Sequence, residues 1–355
     1  MRLIFVLLLA VLQLVWLADA CVHVRGADSS AVNMDDDPEP DALRMVDSQL
    51  EDNRRDQLYF SASTALPNKE KNETVLILAR KALRYLIDNM PKSDLEVITA
   101  DFLATITVNR IKKRLKRWPE VPWDVFVEFT LPYAALSEPR DKSLSKDFQN
   151  KLESHVDKYV TKDATLSQAA VVLNTKAYAI TNPPIIFQAA APNKVNAYSP
   201  YQVVQNKSSS CTGESVFLVY ALRLAGIPAR VAGVPHWNRG PQLCPLKDKS
   251  PKCGNHNWVE VFTEKGEWAF LDQNTANPLN KAWFVPELTN ELKEGDRMHT
   301  IYAATWNIKT KLRFPLVFDP TYKEVSAVER TEWYQSNFHL PRTIAGDENF
   351  VAVAA

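Results

Sequence analysis

Apolar residues recur at intervals of three and four along the first part of the chain, which is the spacing of helices with one buried face. Pro91 stops the first of these runs, and Ser93 or Asp94 can cap the second. The pattern predicts a helical portion over residues 65–180. Within it, helices are predicted over residues 75–87, 95–106, 122–131, 144–159 and 166–179.

The pattern after residue 180 mixes helical and strand-like runs. Residues 216–224 keep the helical spacing, and Gly226-Ile227-Pro228 ends this run. Strands are then predicted over residues 229–234, 254–262, 266–272, 301–306 and 314–318. A tight turn at Lys265-Gly266 would pair the second and third of these. Together the runs predict an α+β fold in which a helix packs against an antiparallel sheet.

The first residues have the pattern of a secretory signal peptide. Met1-Arg2 precedes an apolar run over residues 3–17, and Ala18-Asp19-Ala20 is a cleavage site of small residues. We therefore predict a signal peptide over residues 1–20 and a secreted protein, or a periplasmic one in a bacterium. Cys21 also fits a lipid-attached protein, an alternative that the charged Asp19 disfavours. The apolar run is short for an anchor, so we expect no integral membrane segment.

Two further segments differ from the rest of the chain in composition. Residues 21–64 contain a run of acidic residues interrupted by Pro38 and Pro40, with few apolar positions, which predicts a flexible acidic leader. We predict that residues 341–355 form a C-terminal tail.

Charge gives no indication of a polyanionic partner. The chain has 42 Lys and Arg against 42 Asp and Glu, so its formal net charge is zero. One basic run lies over residues 110–117, but its interleaved apolar positions predict a solvated helix face. We therefore predict no nucleic-acid partner, and the sequence gives no oligomeric state.

Secretion permits disulfides and glycosylation. Cys244 and Cys253 flank a polar loop that contains two prolines, which predicts a local disulfide and leaves Cys211 free. Asn72 and Asn206 each begin an Asn-x-Ser/Thr sequence, so both are glycosylation candidates in a eukaryotic host.

Three residues have the types and the order of a nucleophilic site. Cys211 opens a helical run, where the exposed N–H groups and the positive end of the helix dipole favour a thiolate. His256 lies in one predicted strand and Asp272 ends the next, so pairing of the strands would bring them together. Each residue alone is more often structural, but the ordered set supplies a nucleophile, a base and a group that orients the base.

A zinc site is the competing interpretation of the same residues. Cys244, Cys253 and His256 are residue types that bind zinc, and Cys211 would complete a tetrahedral set. The spacing from Cys244 to Cys253 is not a common one for zinc ligands, which favours the nucleophilic interpretation.

This stretch resembles the transglutaminase-like branch of the papain-like cysteine enzymes. The resemblance covers residues 198–275 and differs from the family's usual pattern at Gln273-Asn274-Thr275, where Pro-Thr is commoner. It implies a transglutaminase-like catalytic domain over residues 181–340 with a papain-like core, and Cys211, His256 and Asp272 as its catalytic triad. The matching pieces are Ser210-Cys211-Thr212-Gly213, Leu222-Arg223 with Gly226-Ile227-Pro228-Ala229-Arg230-Val231, Asn255-His256-Asn257-Trp258-Val259-Glu260-Val261, and Gly266-Glu267-Trp268 through Asp272.

The resemblance also implies an activity. A secreted cysteine enzyme would act on amide bonds of a protein or peptide substrate through an acyl-thioester, by transamidation, deamidation or peptide hydrolysis. No cofactor and no metal is implied, and a calcium dependence stays open. The backbone N–H of Cys211 would bind the oxyanion, with Tyr178 and Gln202 as candidate side-chain donors. The alternative is a catalytically silent binding or structural protein.

Overall fold

The computed structural model describes residues 41–189, 198–237, 254–293, 295–317, 319 and 321–338. Contacts divide the chain into Met1–Gln49, whose described residues are helical, and a second unit, Leu50–Ala355. The second unit contains the sheet and the residues of the predicted site.

The N-terminal helical portion that the sequence predicts is present. Asn72, Thr99, Ser145 and Thr165 are N-caps whose side chains accept backbone N–H groups of the first turns. The α-helices of the described residues are α1 (Asp41–Lys69), α2 (Glu73–Asp88), α3 (Ala100–Arg117), α4 (Trp123–Phe129), α5 (Lys146–Asp157), α6 (Leu166–Lys176), α7 (Pro200–Asn206), α8 (Cys211–Leu224) and α9 (Thr331–Asn337). Short 3-10 turns are Lys92–Glu96, Lys142–Leu144, Ala177–Ile180 and Thr289–Glu291.

The acidic leader expected over residues 21–64 is helical from Asp41 onward, as the first part of α1. Tertiary contacts account for this difference from the local pattern. Arg55 is 7% exposed, and its guanidinium donates to the carbonyl oxygens of Ile87 and Met90. Residues 1–40, which include the predicted signal peptide, lie outside the described residues.

The start of the second predicted helix also differs, because its two candidate caps lie in the 3-10 turn before α3. Asp94 is buried, and its carboxylate accepts from the Tyr133 hydroxyl at 2.7 Å and from Arg140 Nε at 3.0 Å. With Ser93 and Asp94 held in that turn, α3 begins later, with Thr99 as its N-cap.

The basic run over residues 110–117 is only partly a solvated face. Arg110 is 5% exposed and donates to three carbonyl oxygens after α4, at 2.6 to 2.7 Å. Lys113 Nζ lies 2.7 Å from Glu153 and 2.8 Å from Asp157. Charges in this run therefore hold helices together rather than presenting a free basic surface.

A five-stranded antiparallel sheet follows the helical portion, with strand order β5-β4-β3-β6-β7. A separate parallel pair, β1 with β2, precedes α8. The strands are β1 (Ile186–Phe187), β2 (Ser208–Ser209), β3 (Ala229–Val234), β4 (His256–Phe262), β5 (Trp268–Leu271), β6 (Tyr302–Thr305) and β7 (Ser326–Glu329).

The sheet is buried on both faces. α8 packs against β3 and β4, and one apolar cluster contains α8, this face of the sheet and the helical portion. A second, aromatic cluster covers the other face; its largest members are Trp237, Trp258, Phe270, Phe284 and Tyr334. The predicted class is confirmed: the protein is α+β, with the helix that begins at Cys211 packed on an antiparallel sheet.

The last strands differ from the prediction. Residues 314–317, the described part of a predicted strand, do not form one; Arg313 makes only an isolated bridge with Ser326. Pro315 has no N–H group to donate to a ladder, which explains why a strand does not continue there. The edge strand is β7 instead, which the short sequence Ser326–Glu329 did not reveal.

Candidate active site

Cys211 is the first residue of α8. Ser210 before it has the extended backbone of an N-cap, with φ −71° and ψ 172°. The Cys211 side chain is partly exposed and not in a disulfide, whereas every later residue of α8 is buried. The thiol therefore lies at the positive end of a buried helix dipole, where a thiolate is favoured.

The pairing of β4 with β5 brings His256 and Asp272 together. Val259 pairs with Leu271, so Asp272 directly after β5 lies near the start of β4. The turn between the strands contains Gly266 at φ +80°, a left-handed conformation that suits glycine. His256 Nε2 lies 3.4 Å from Asp272 Oδ1, and both side chains are buried.

Cys211 and His256 shift each other's protonation. Burial acts to lower the pKa of His256, but the hydrogen bonds and charges of Asp272 and Cys211 outweigh it and raise this pKa from 6.5 to about 9. Burial acts to raise the pKa of the Cys211 thiol, but the hydrogen bond and charge of His256 lower it below 9.0. Both shifts favour a thiolate beside an imidazolium. Because Nε2 faces Asp272, Nδ1 is the ring nitrogen left for the thiol.

Asn174, a residue that the sequence analysis did not single out, holds Asp272 in place. It is fully buried on α6. Its Nδ2 donates to the carbonyl oxygens of Asp272 and Thr275, both at 2.9 Å, and its Oδ1 accepts from the Asn274 N–H at 3.1 Å. The turn after β5 is therefore fixed from the helical portion. The signal in the sequence, a lone Asn among the apolar positions of a helix, was weak.

The departure from the family pattern after Asp272 has a structural role. Asn274 has φ +58°, a conformation that Asn tolerates better than most residues. Its Nδ2 donates to Glu214 Oε1 at 3.0 Å and to the Ile185 carbonyl oxygen at 3.2 Å. Glu214 lies in the first turn of α8 and is 1% exposed, and its burial raises its pKa to about 8. Asn274 thus connects the Asp272 turn to the helix that carries Cys211.

Aromatic rings cover the His256 imidazole. The ring centroids of Trp283 and Phe284 lie 5.2 and 5.3 Å from it, and the Trp258 ring is stacked at 5.9 Å. Trp283 is 42% exposed, so it forms the solvent-facing side of this wall. Such a cover limits water access to the bond between His256 and Asp272 and strengthens it.

Both candidate oxyanion donors make structural contacts. Tyr178 is 1% exposed, and its hydroxyl donates to the Glu214 carbonyl oxygen at 2.8 Å, so Tyr178 holds α8 rather than facing a substrate. The carbonyl oxygen of the Gln202 side chain completes the capping box at the start of α7. Gln202 therefore also has a structural contact.

Asn257 contacts both Cys211 and the residue after it. Its backbone N–H donates to the Cys211 sulfur, and its Nδ2 donates to Thr212 Oγ1 at 2.7 Å. Gly233 lies opposite Asn257 in the ladder, and a Cβ there would lie only 2.0 Å from Asn257 Oδ1. Asn257 and Gly233 are two further residues that the sequence analysis did not assign to the site.

The described residues hold neither a metal-binding cluster nor a membrane-spanning helix. These residues contain no group of three or more His, Cys, Asp and Glu side chains arranged to hold a metal ion. Cys244 and Cys253, the cysteines of the predicted disulfide and of the zinc alternative, lie outside the described residues. Of the helices that are described, none is long and apolar enough to cross a membrane.

Comparison with known families agrees with the fold. Residues 156–273 match the model of the transglutaminase-like superfamily, a segment that runs from the end of α5 past Asp272. No curated protein and no solved structure gave a significant match. The chain therefore carries a domain of the transglutaminase-like superfamily.

Proposed function

We propose that the protein is a cysteine enzyme that acts on amide bonds of protein or peptide substrates, with Cys211 as nucleophile, His256 as acid and base, and Asp272 as the group that orients His256. One observation carries the proposal. A partly exposed thiol at a helix N-terminus contacts a buried histidine, whose other ring nitrogen faces a buried carboxylate.

The first half of the reaction forms a thioester. The Cys211 thiolate attacks the amide carbonyl carbon, and the backbone N–H of Cys211 stabilises the negative oxygen that develops. As the C–N bond breaks, the His256 imidazolium gives its proton to the leaving nitrogen, which departs as ammonia or an amine. Asp272 accepts from His256 Nε2 and stabilises the imidazolium throughout.

The second half releases the acyl group. Neutral His256 removes a proton from an amine or a water molecule, which attacks the thioester carbonyl and expels the Cys211 thiolate. An amine acceptor gives transamidation, and water gives deamidation or peptide hydrolysis. The triad serves all three outcomes, so the acceptor depends on what binds beside it.

Labelling of Cys211 with acyl donors tests the proposal. Purified protein is incubated with glutamine-containing and ester donors, the Cys211 peptide is analysed for a thioester, and products are checked for deamidation, cross-linking and cleavage. Cys211→Ala should abolish acylation and turnover and keep the thermal melting of the wild type. Full activity in Cys211→Ala would contradict the mechanism.

We further propose that the protein acts outside the cell or in the periplasm, after removal of residues 1–20. The supporting observation is the signal-peptide pattern at the N-terminus. N-terminal sequencing of the secreted protein should begin at Cys21, and peptide mapping without reduction should find Cys244 linked to Cys253. An intact Met1 or two alkylatable thiols at Cys244 and Cys253 would contradict these two assignments.

A further inference from the structure

A groove opens beside the proposed active site, between the start of β4 and the segment before β7. Its narrow end is lined by Gly233, Asn255 and Asn257. A wider part of about 200 Å³ is lined by Arg297, Arg313 and Lys323. Pro235, Phe314, Pro315 and Val317 line both parts, so the two form one continuous groove.

The narrow end of the groove lies next to the reacting groups, through residues that neighbour them. Asn255 and Asn257 are the chain neighbours of His256 on either side. Asn257 also contacts both Cys211, through its backbone N–H, and Thr212, through its side chain. A polypeptide with its amide at Cys211 would therefore have its neighbouring residues close to this groove.

The wide part of the groove is cationic in a protein of zero net charge. Arg297, Arg313 and Lys323 are exposed, and none of its lining residues is acidic. The two nearest carboxylates in sequence bind elsewhere: Asp296 contacts His299 at 3.2 Å, and Glu324 accepts from the Ser93 hydroxyl at 2.7 Å. Among the described residues, the three cations form no salt bridge, so their charge is available to a ligand.

The groove also offers apolar surface and one fixed guanidinium. Met298 is 45% exposed and Val317 47%, beside the buried ring of Phe314. Arg313 Nη1 donates to the carbonyl oxygens of Thr310 and Leu312 at 2.5 and 3.0 Å, which restricts its side chain before any ligand binds. Cationic side chains around an apolar surface are complementary to a polypeptide segment that carries both carboxylates and apolar side chains.

We propose that this groove binds an acidic, apolar-containing segment of the polypeptide substrate next to the reacting amide, and so selects amides that lie near Asp or Glu. The inference rests on the proposed function for the position of the amide, and it names the substrate class of that site. An acidic segment would pair with Arg297, Arg313 and Lys323 while its apolar side chains contact Phe314 and Val317.

Binding to the full-length Cys211→Ala variant tests the groove without turnover. The probes are fluorescent peptides with one central glutamine, flanked by leucine and glutamate, and matched peptides in which every glutamate is glutamine or lysine. The glutamate peptide should bind roughly tenfold more tightly than the glutamine peptide, less so at high salt, and the lysine peptide most weakly. Equal binding of the three peptides would overturn the proposal.

Charge reversal locates the effect. Arg297→Glu combined with Lys323→Glu should abolish the preference for glutamate, and Lys323→Gln alone should reduce it. Lys116→Glu combined with Lys265→Glu, at exposed lysines that do not line the groove, changes the net charge equally and should keep the preference. A preference that survives the groove reversal, with normal thermal melting, would contradict the assignment.

The two proposals fail in different ways. If the wild type shows no amide chemistry but the glutamate preference is present and depends on Arg297 and Lys323, the groove stands and the proposed enzyme function does not. If the wild type turns over glutamate and lysine donors with the same KM, the enzyme function stands and the groove assignment is wrong.

Discussion

Strand β4 carries two buried charged clusters on the same face, because His256 and Glu260 are an even number of residues apart. Glu260 is fully buried, and its carboxylate contacts Arg230 at 2.7 Å and Arg330 at 3.0 Å. Four residues earlier, His256 contacts Asp272 and Cys211. Trp258 lies between them in the chain.

The two clusters differ in what burial does to their protons. Burial acts to raise the pKa of Glu260, but two arginines outweigh it and lower this pKa, so the charges are fixed at neutral pH. In the other cluster the pKa of His256 rises and that of Cys211 falls, and the thiol stays partly exposed. A buried salt bridge alone is therefore structural; a reactive site also needs an accessible group whose protonation can change.

The largest effect is expected at His256. His256→Ala removes both the base and the partner of the thiolate, so activity should fall by several orders of magnitude, roughly 10⁴-fold or more. The control is His155→Ala, which removes a histidine that contacts the Lys176 carbonyl oxygen on the helical portion. Steady-state kinetics and thermal melting check both variants. Retained activity in His256→Ala would show that the His256 cluster is structural, as the Glu260 cluster is.

At Glu260 we expect a loss of stability without a loss of activity. Glu260→Gln leaves the buried Arg230 and the half-buried Arg330 without their carboxylate, so the free energy of unfolding should fall by about 3–5 kcal/mol. Activity per folded molecule should stay close to wild type. Denaturant unfolding measures the loss, with exposed Glu267→Gln as control. A wild-type stability would show that the Glu260 cluster does not hold the sheet.

A smaller loss of activity is expected at Asp272, with a shift in pH dependence. Asp272→Asn should reduce kcat/KM roughly 10²- to 10³-fold, because the imidazolium loses its carboxylate. In the wild type, kcat/KM should fall as the pH rises through about 9, where His256 loses its proton. In Asp272→Asn this limb should move to lower pH, since the Asp272 hydrogen bond raises the His256 pKa.

The support of Asp272 by Asn174 extends this test. Asn174→Ala should give a weaker form of the Asp272→Asn phenotype, with the alkaline limb shifted in the same direction. Asn337→Ala removes an exposed side-chain amide bond, to the Trp333 carbonyl oxygen on α9, and should leave the limb in place. An unshifted limb in both Asn174→Ala and Asp272→Asn would mean that another residue orients His256.

The smallest effect is expected at Glu214, where burial outweighs the neighbouring charges and raises the pKa, in contrast to Glu260. Because its pKa is about 8 when folded and near 4.5 when unfolded, stability is lost as the pH rises from 4.5 to 8. Glu214→Gln should therefore melt at a higher temperature than the wild type at pH 8 and nearly the same at pH 4.5. A pH-independent difference would show that Glu214 is ionised in the folded protein.

The sequence was sufficient where local pattern determines structure. The spacing around Cys211, His256 and Asp272 predicted one helix start and two paired strands, and the structure brings these residues together. It was insufficient where partners are distant in the chain. Asn174 reaches Asp272 across 98 residues, and α1 depends on bonds from Arg55 to Ile87 and Met90. Neither contact leaves a local signature.

The central claim is that His256 makes Cys211 a thiolate below its ordinary pKa, and the pH dependence of Cys211 alkylation tests it most directly. Iodoacetamide labelling, followed by mass spectrometry of the Cys211 peptide, distinguishes this thiol from the other cysteines. The wild type should react with a midpoint below pH 9.0, and His256→Ala should shift the midpoint upward, because the hydrogen bond and the charge of His256 that lower the Cys211 pKa are lost while burial still raises it. A midpoint that is the same in both proteins would contradict the account.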